Sequence, residues 1–290
     1  MKPTRPPYLG LVGALTLCSL LVGCAHGVLD PKGPIGADEK VILFDATAIM
    51  LVVVVPVIIC TLAFAWWFRS HNARALRLPD WEYSGRIELV TWSIPAMIVL
   101  FLAGMTWIST HDLDPPKALQ SEVKPLQIEV VSLDWKWLFI YPGEQVALVN
   151  QLVIPINTPI HFKLTSATVM NSFFVPQLGS QIYTMAGMTT QLNLLASESG
   201  TFAGLSAQFS GDGFSDMRFD VRAVPEEEFK AWLTSAHANT EQLDISRYLQ
   251  LAAPSQHVEP AIFGQVSTGL FDDIVHNHGS PVISGRASSL

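Results

Sequence analysis

Apolar positions along this chain follow two different rhythms. Up to about residue 110 they form unbroken runs, and from about Lys124 they alternate with polar ones. The runs Ala48–Trp67 (AIMLVVVVPVIICTLAFAWW, 20 residues) and Leu89–Ser109 (LVTWSIPAMIVLFLAGMTWIS, 21 residues) hold no charged residue. A helix of about 20 apolar residues crosses a hydrocarbon core of about 30 Å, so each run predicts a membrane span, at about 44–67 and 88–109. Trp66, Trp67, Trp92 and Trp107 lie near the ends of the runs, where an amphipathic ring prefers the interface. Pro56 and Pro95 fall inside them and are tolerated where neighbouring groups take up the freed carbonyls.

The second rhythm has period two and is rich in β-branched residues, which predicts strands. LQIEVVSL, WKWLFIY, VALVNQLVI, PIHFKLTS, QIYTM, TTQLNLLA, GTFAGLSAQF and MRFDVRAV are eight of them. Turn residues such as Pro142-Gly143, Asn157-Thr158-Pro159 and Ser199-Gly200 separate them. Short strands with no helices between them predict a sandwich or small barrel. After residue 224 the pattern becomes helical. Pro225 suits a first helical position and Glu226–Glu228 suit the dipole of a first turn, with Phe229, Trp232 and Leu233 as the apolar stripe. A further helix is expected over Ala261–His276, and the last dozen residues, including SGRASSL, are expected to be disordered.

Composition sharpens this division. Hydrophobic residues make up 49% and charged residues only 14%, with mean hydropathy +0.34, which is too apolar for an ordinary soluble chain. The net charge of −8 argues against nucleic acid as a partner, because phosphate binding needs clustered Lys and Arg. The connector 69–86 carries Arg69, Arg74, Arg77 and Arg86 against Asp80 and Glu82, whereas 112–290 holds nine Lys/Arg and 18 Asp/Glu. The positive connector belongs on the cytoplasmic side, so both ends of the mature chain face the periplasm of a bacterial inner membrane.

Lys2 and Arg5 precede the apolar run YLGLVGALTLCSLLVG, the layout of a signal peptide over 1–23. Leu21-Val22-Gly23-Cys24 resembles the lipobox of bacterial lipoproteins, which implies that Cys24 is acylated and begins the mature chain. The alternative is a plain signal peptide or an uncleaved anchor. The expected organisation is a lipidated N-terminus and transmembrane hairpin over 24–110, an outer β-domain over 111–224, and a helical arm and tail over 225–290. All three cysteines, Cys18, Cys24 and Cys60, precede this β-domain. It therefore has no disulfide and no thiolate to offer a metal.

One stretch near the end of the β-domain, GLSAQFSGDGFSDM (204–217), is shaped like a binding loop. Only Asp212, Asp216 and Met217 in it could coordinate an ion. Together with the lipobox and the hairpin it resembles subunit II of the haem–copper terminal oxidases, over nearly the whole mature chain. In members fed by cytochrome c that resemblance implies a cupredoxin domain with a two-copper centre. Its ligands there come from a Val-Ile-His-Ser-Phe-like segment and from Cys-x-Glu-x-Cys-x-x-x-His-x-x-Met. Laid on TSATVMNSFFVPQLG (165–179), the first puts Asn171 in place of the His. The second meets Ser206 and Ser210 in place of Cys, Gln208 in place of Glu, and Phe214 in place of His, leaving Met217 alone. Copper of this kind wants thiolate and imidazole, so the resemblance narrows to the bo-type ubiquinol oxidases, whose subunit II keeps the fold without the metal.

That resemblance implies a membrane α + β fold: a two-helix hairpin, then a cupredoxin-like sandwich or barrel lacking copper, then a helical arm. It implies a structural, non-redox subunit with no catalytic residue and no cofactor of its own. The parent is a proton-pumping oxidase (quinol + O2 to quinone + water). Haem and copper lie in subunit I, the main partner, beside subunits III and IV, membrane lipid and quinol, with no role for cytochrome c. The loop then serves as a surface packed over subunit I. Glu88, at the cytoplasmic start of the second span, falls where the family places a Glu at the mouth of a proton channel. Read from the residues alone, it is equally an interfacial carboxylate paired with Arg86. Gln208 replaces a Glu that helps to bind magnesium, which puts that ligation in doubt. Trp135 and Trp137 are expected to share one strand face and to serve packing; His161 is read as a structural or surface histidine, and His276 and His278 as solvated. One rival is a cytochrome c oxidase subunit, which would need copper ligands that are absent; the other is a membrane lipoprotein whose cupredoxin-like domain acts in binding or assembly, outside any oxidase.

Overall fold

The computed structural model describes residues 27–76, 78–80 and 82–276. The expected signal peptide, Cys24, His278 and the last dozen residues, including SGRASSL, lie outside the described residues. Helix α1 covers Pro34–Trp67 and helix α2 covers Gly85–Asp112. Both are long and apolar enough to cross a membrane. At 1.5 Å per residue they measure about 51 and 42 Å, more than a hydrocarbon core needs. The excess on α1 lies before the apolar run and begins ten residues earlier than the expected span. Pro34 stands in its first turn after Gly33 as N-cap, a position where proline's missing N–H costs nothing.

Those extra turns dock on the β-domain. Gly36 N–H donates to Leu178 O (3.2 Å), Lys32 N–H to Gln177 O (2.6 Å) and Ser197 N–H to Lys32 O (2.8 Å). Lys32 Nζ reaches Glu198 at 2.9 Å and Asp30 at 3.2 Å, and its pKa is raised by the Glu198 hydrogen bond first and by Asp30 second. Gly33 is needed for closeness: a Cβ there would stand 2.1 Å from Leu195 O. Glu39, one turn further on, hydrogen-bonds to Ser180. Just beyond the other helix, Pro115 O accepts both N–H and Nδ2–H of Asn193.

The β-domain is two packed sheets. The strands are β1 (Leu126–Leu133), β2 (Lys136–Tyr141), β3 (Val146–Val149), β4 (Gln151–Pro155), β5 (Ile160–Ser166), β6 (Asn171–Phe174), β7 (Ile182–Thr184), β8 (Thr190–Leu194), β9 (Gly200–Ser206) and β10 (Arg218–Val224). The arm adds α3 (Glu226–His237), β11 (Gln242–Leu243), α4 (Ile245–Ala252), β12 (Ala261–Phe263), β13 (Gln265–Val266) and α5 (Leu270–His276). One sheet runs β12-β3-β2-β1-β5-β8 and the other β4-β10-β9-β6-β7. Between them lies the main core, built around Trp137, Phe139, Tyr141, Phe162, Phe173 and Phe219.

Strands β1 and β2 place apolar side chains on both faces. Ile128, Val130, Trp137 and Phe139 enter the main core, while Val131, Leu133, Leu138 and Ile140 point the other way. A strand without polar alternation needs a cover on each side. The arm is that cover: Leu243, Tyr248, Phe263, Leu270, Phe271 and Ile274 close over the second face. Lys136 shares it, buried, with Nζ donating to Ala253 O (2.9 Å) and Asp134 O (3.1 Å).

Four sequence expectations are corrected here. VALVNQLVI is not one strand. Asn150 takes a left-handed φ of 53° and the chain passes from one sheet to the other, as sandwich corners do. Its side chain accepts from Trp137 N–H (2.9 Å) and donates to Val258 O (2.8 Å). Ala261–His276 is not one helix. Ala261–Phe263 pairs with the edge of β3 and Gln265–Val266 with β11, while Gly264 lies so close to Asn239 O that a Cβ would stand 2.1 Å from it. Trp135 and Trp137 share no face: Trp137 is in the core, whereas Trp135 is in the turn before β2 with φ 64°. Pro225 caps α3 from just outside rather than opening it.

Candidate functional site

The positions singled out in the loop come together because three strand ends meet. Asn171 opens β6, Ser206 closes β9, and Met217 directly precedes β10. Pairing of Phe173 with Ser206 and a bond from Ser206 N–H to Met217 O (3.1 Å) hold the three ends in register. Ser206 Oγ donates to Asn171 Oδ1 (3.1 Å) and lies 3.2 Å from Gln208 O. Asn171 Nδ2 donates to Val169 O (3.2 Å). Asn171, Ser206 and Met217 are all buried. Ser210 Oγ makes only a long contact to Met217 Sδ, 4.0 Å.

Phe214 does not join this group. It begins a short 3-10 turn, Phe214–Asp216, and its ring meets Phe209 edge-on at 5.6 Å. Gln208 contributes its backbone carbonyl to the group, not its side-chain amide. Trp135 closes the loop from outside, donating Nε1–H to Ser210 O (3.1 Å). The sequence reading missed this role, although an Asp-Trp pair between two strands carried a signal: a two-residue hairpin commonly needs left-handed φ within its turn, and here Trp135 supplies it.

The donor set does not fit a redox copper pair. The buried positions offer a hydroxyl, an amide and one thioether, and the hydroxyl and amide are bonded to each other. Soft, redox-active copper is held by thiolate and imidazole. Among the described residues no group of three or more His, Cys, Asp or Glu could hold a metal ion. His257 of the arm reaches Asp216 at 3.6 Å, on the exposed rim. His161 Nδ1 meets Asn193 Oδ1 at 2.9 Å, so it ties β5 to β8, as a structural histidine should. His276 caps the end of α5, Nδ1 to Asp272 O at 2.7 Å.

Glu88 lies at the opposite end of the hairpin, in the first turn of α2. It is exposed, and its N–H bonds Ser84 O at 3.0 Å. No ion pair with Arg86 occurs among the described residues, and residues two apart on a helix do not face each other. Arg69, on the same connector, lies 4.7 Å above the ring of Trp66.

Fold and loop together define a class: a membrane protein with two spans and a periplasmic domain of the cytochrome-oxidase subunit II kind. Residues 126–224 match the family "Cytochrome C oxidase subunit II, periplasmic domain", and residues 237–281 match "COX Aromatic Rich Motif". The "Ubiquinol oxidase subunit 2" of Acetobacter aceti is 50% identical over 280 residues, 96% of this chain and 91% of that one. The "Cytochrome bo(3) ubiquinol oxidase subunit 2" of Pseudomonas aeruginosa is 50% identical over 275 residues, 94% of this chain and 82% of that one. Among solved structures, the periplasmic domain of subunit II of cytochrome oxidase of Bradyrhizobium japonicum is similar at 22% identity, 41% of this chain, 96% of that one and a TM-score of 0.39. The chain belongs to the family of cytochrome bo3 ubiquinol oxidase subunit 2, among the haem–copper oxidases. It is a subunit of a ubiquinol oxidase complex, with the other subunits of that complex as partners.

Proposed function

We propose that this chain is the non-redox subunit of a proton-pumping quinol oxidase: it carries no copper, stabilises subunit I from the periplasmic side and contributes Glu88 to the entrance of a proton channel. The observation that carries this reading is the Ser206–Asn171 hydrogen bond (3.1 Å). Two positions where copper-bearing relatives would place ligands are instead satisfied by each other. A quinol delivers its electrons from the lipid phase to haem in subunit I, so the outer domain has no relay to perform. What it offers subunit I is surface. Val169, Met170, Tyr183, Met188 and Phe209, on the segments around the loop, are all exposed apolar side chains, an arrangement suited to a protein contact.

Glu88 can take part in proton uptake because it is an exposed carboxylate at the end of a membrane helix, where an ionisable group has a functional use. Acylation of Cys24 would add a further anchor, worth roughly 0.8 kcal/mol per buried CH2; the mass of the mature N-terminal peptide tests it.

Affinity purification of this chain from detergent-solubilised membranes tests the whole reading. Co-purification of a haem-bearing subunit with quinol-dependent oxygen uptake is the expected result. Isolation without haem would overturn it and favour a lipoprotein that acts in assembly.

A further inference from the structure

The segment 207–217 contains two glycines, and its two aromatic rings, Phe209 and Phe214, meet each other towards the surface rather than in the core. A loop of that composition keeps one shape only if something outside it acts as a brace. Trp135 is placed to do so. It occupies the two-residue turn between Leu133 and Lys136, which pair with each other, and its φ is 64°. Bulky residues rarely adopt that backbone, and strained positions persist only where the surroundings over-determine them. The indole lies on the loop's glycines. A Cβ on Gly213 would stand 2.5 Å from Trp135 Cγ, and one on Gly211 3.3 Å from Cζ2. Gly211 itself has φ 108°, closed to most other residues. The ring's one polar atom is used too, Nε1–H to Ser210 O at 3.1 Å.

The loop so held turns one large side chain outward. Phe209 is 72% exposed, steadied from behind by the edge-on ring of Phe214. We propose that Trp135 is the brace that keeps the 207–217 loop in one shape, and that the braced loop presents Phe209 to the haem-bearing subunit as an anchor of their contact. The second half rests on the proposed function above. Aromatic anchors of this kind dominate many interfaces. Trp135 is thus a positioning residue, acting through Phe209.

The test is hydrogen exchange of the intact, purified complex, read on the amides of Phe214, Asp216 and Met217, which bond within the loop. Trp135→Ala should speed their exchange by about tenfold or more and leave the β1–β2 and β9–β10 ladders unchanged. Gly213→Ala should do the same with the indole still present, because the methyl displaces it. Trp135→Phe should fall between, keeping a ring but losing the bond to Ser210 O. Phe209→Ala should leave loop exchange unchanged and lower the haem recovered with this chain. Loop exchange within about twofold of the parent in Trp135→Ala and Gly213→Ala, or a rise spread over the whole β-domain, would overturn the brace. A loop loosened in Trp135→Ala together with undiminished haem in Phe209→Ala would overturn the anchor alone. Should Trp135→Ala fail to accumulate, Gly213→Ala and Trp135→Phe decide the matter. Absence of haem from the parent preparation would instead sink the proposed function.

Discussion

Replacing Ser206 by Ala isolates the interaction on which the copper-free reading stands. The change removes one hydroxyl and opens almost no space. It takes away the hydrogen bond to Asn171 Oδ1 (3.1 Å) and the contact to Gln208 O (3.2 Å). Asn171 is 1% exposed and keeps only its Nδ2 bond to Val169 O, so Oδ1 is left in the interior without an acceptor's partner. An unsatisfied buried acceptor costs about 1–3 kcal/mol. A central figure of about 2 kcal/mol corresponds to roughly 30-fold in an opening equilibrium. The assay is native-state exchange of the β9 and β10 amides in the intact complex, since Ser206 closes one strand and Met217 adjoins the other. Adding Asn171→Val to Ser206→Ala removes both partners at once, and the double variant should recover about 1 kcal/mol relative to the sum of the singles. If Ser206→Ala changes exchange by less than about twofold, or if the two substitutions simply add, the bond is incidental and the reasoning fails.

Three further outcomes follow from the same geometry. Tyr141 is fully buried, its Oη donating to Val153 O (2.7 Å) and accepting from Val153 N–H (3.0 Å); burial raises its pKa far above the ordinary tyrosine value. Tyr141→Phe strands both Val153 groups between the sheets and should destabilise the domain by roughly 2–4 kcal/mol, measurable by the same exchange experiment. Glu129 faces the arm, and its pKa is raised, by burial first and by Asp272 second. The folded state therefore holds its proton more tightly than the unfolded one, and this contribution is lost as pH rises above the ordinary value of 4.5. Glu129→Gln should stabilise arm docking at pH 7, with the advantage fading towards pH 4, as thermal unfolding across that range will show. Glu88→Ala should slow oxidase turnover by slowing haem reduction, while Glu88→Asp retains more activity; stopped-flow reduction of haem reads this directly, and full turnover in the Ala variant removes Glu88 from the proton path.

Much of this architecture was legible in the sequence, for physical reasons that also explain the gaps. Hydrophobic runs too long for a soluble core gave the hairpin, and β1 emerged with the expected bounds because LQIEVVSL has no competing signal. The apolar pairs and runs inside these strands, Val130-Val131 in LQIEVVSL and Trp137–Tyr141 in KWLFIY, depart from strict alternation and required a second cover, which is the arm. Local pattern could not show that Asn150 ends a strand, because its left-handed turn is fixed by contacts to Trp137 and Val258, 13 and 108 residues away. Nor could periodicity separate the edge strand Ala261–Phe263 from a helix, since the difference lies in an exposed edge of β3 waiting for a partner. Asn171, Ser206, Ser210 and Met217 were identified by alignment to a motif, and the fold brings them together. Trp135 was misassigned because its direction is set by glycines 76 and 78 residues later in the chain, Gly211 and Gly213.

The most direct test is a copper count of the detergent-purified complex, taken with a near-infrared spectrum, for the parent and for Met217→Leu, which removes the sole soft donor of the buried group. The account predicts an identical copper content in the two preparations and no near-infrared band from the outer domain. Loss of copper in the Met217→Leu complex, or a near-infrared band that disappears with it, would contradict it.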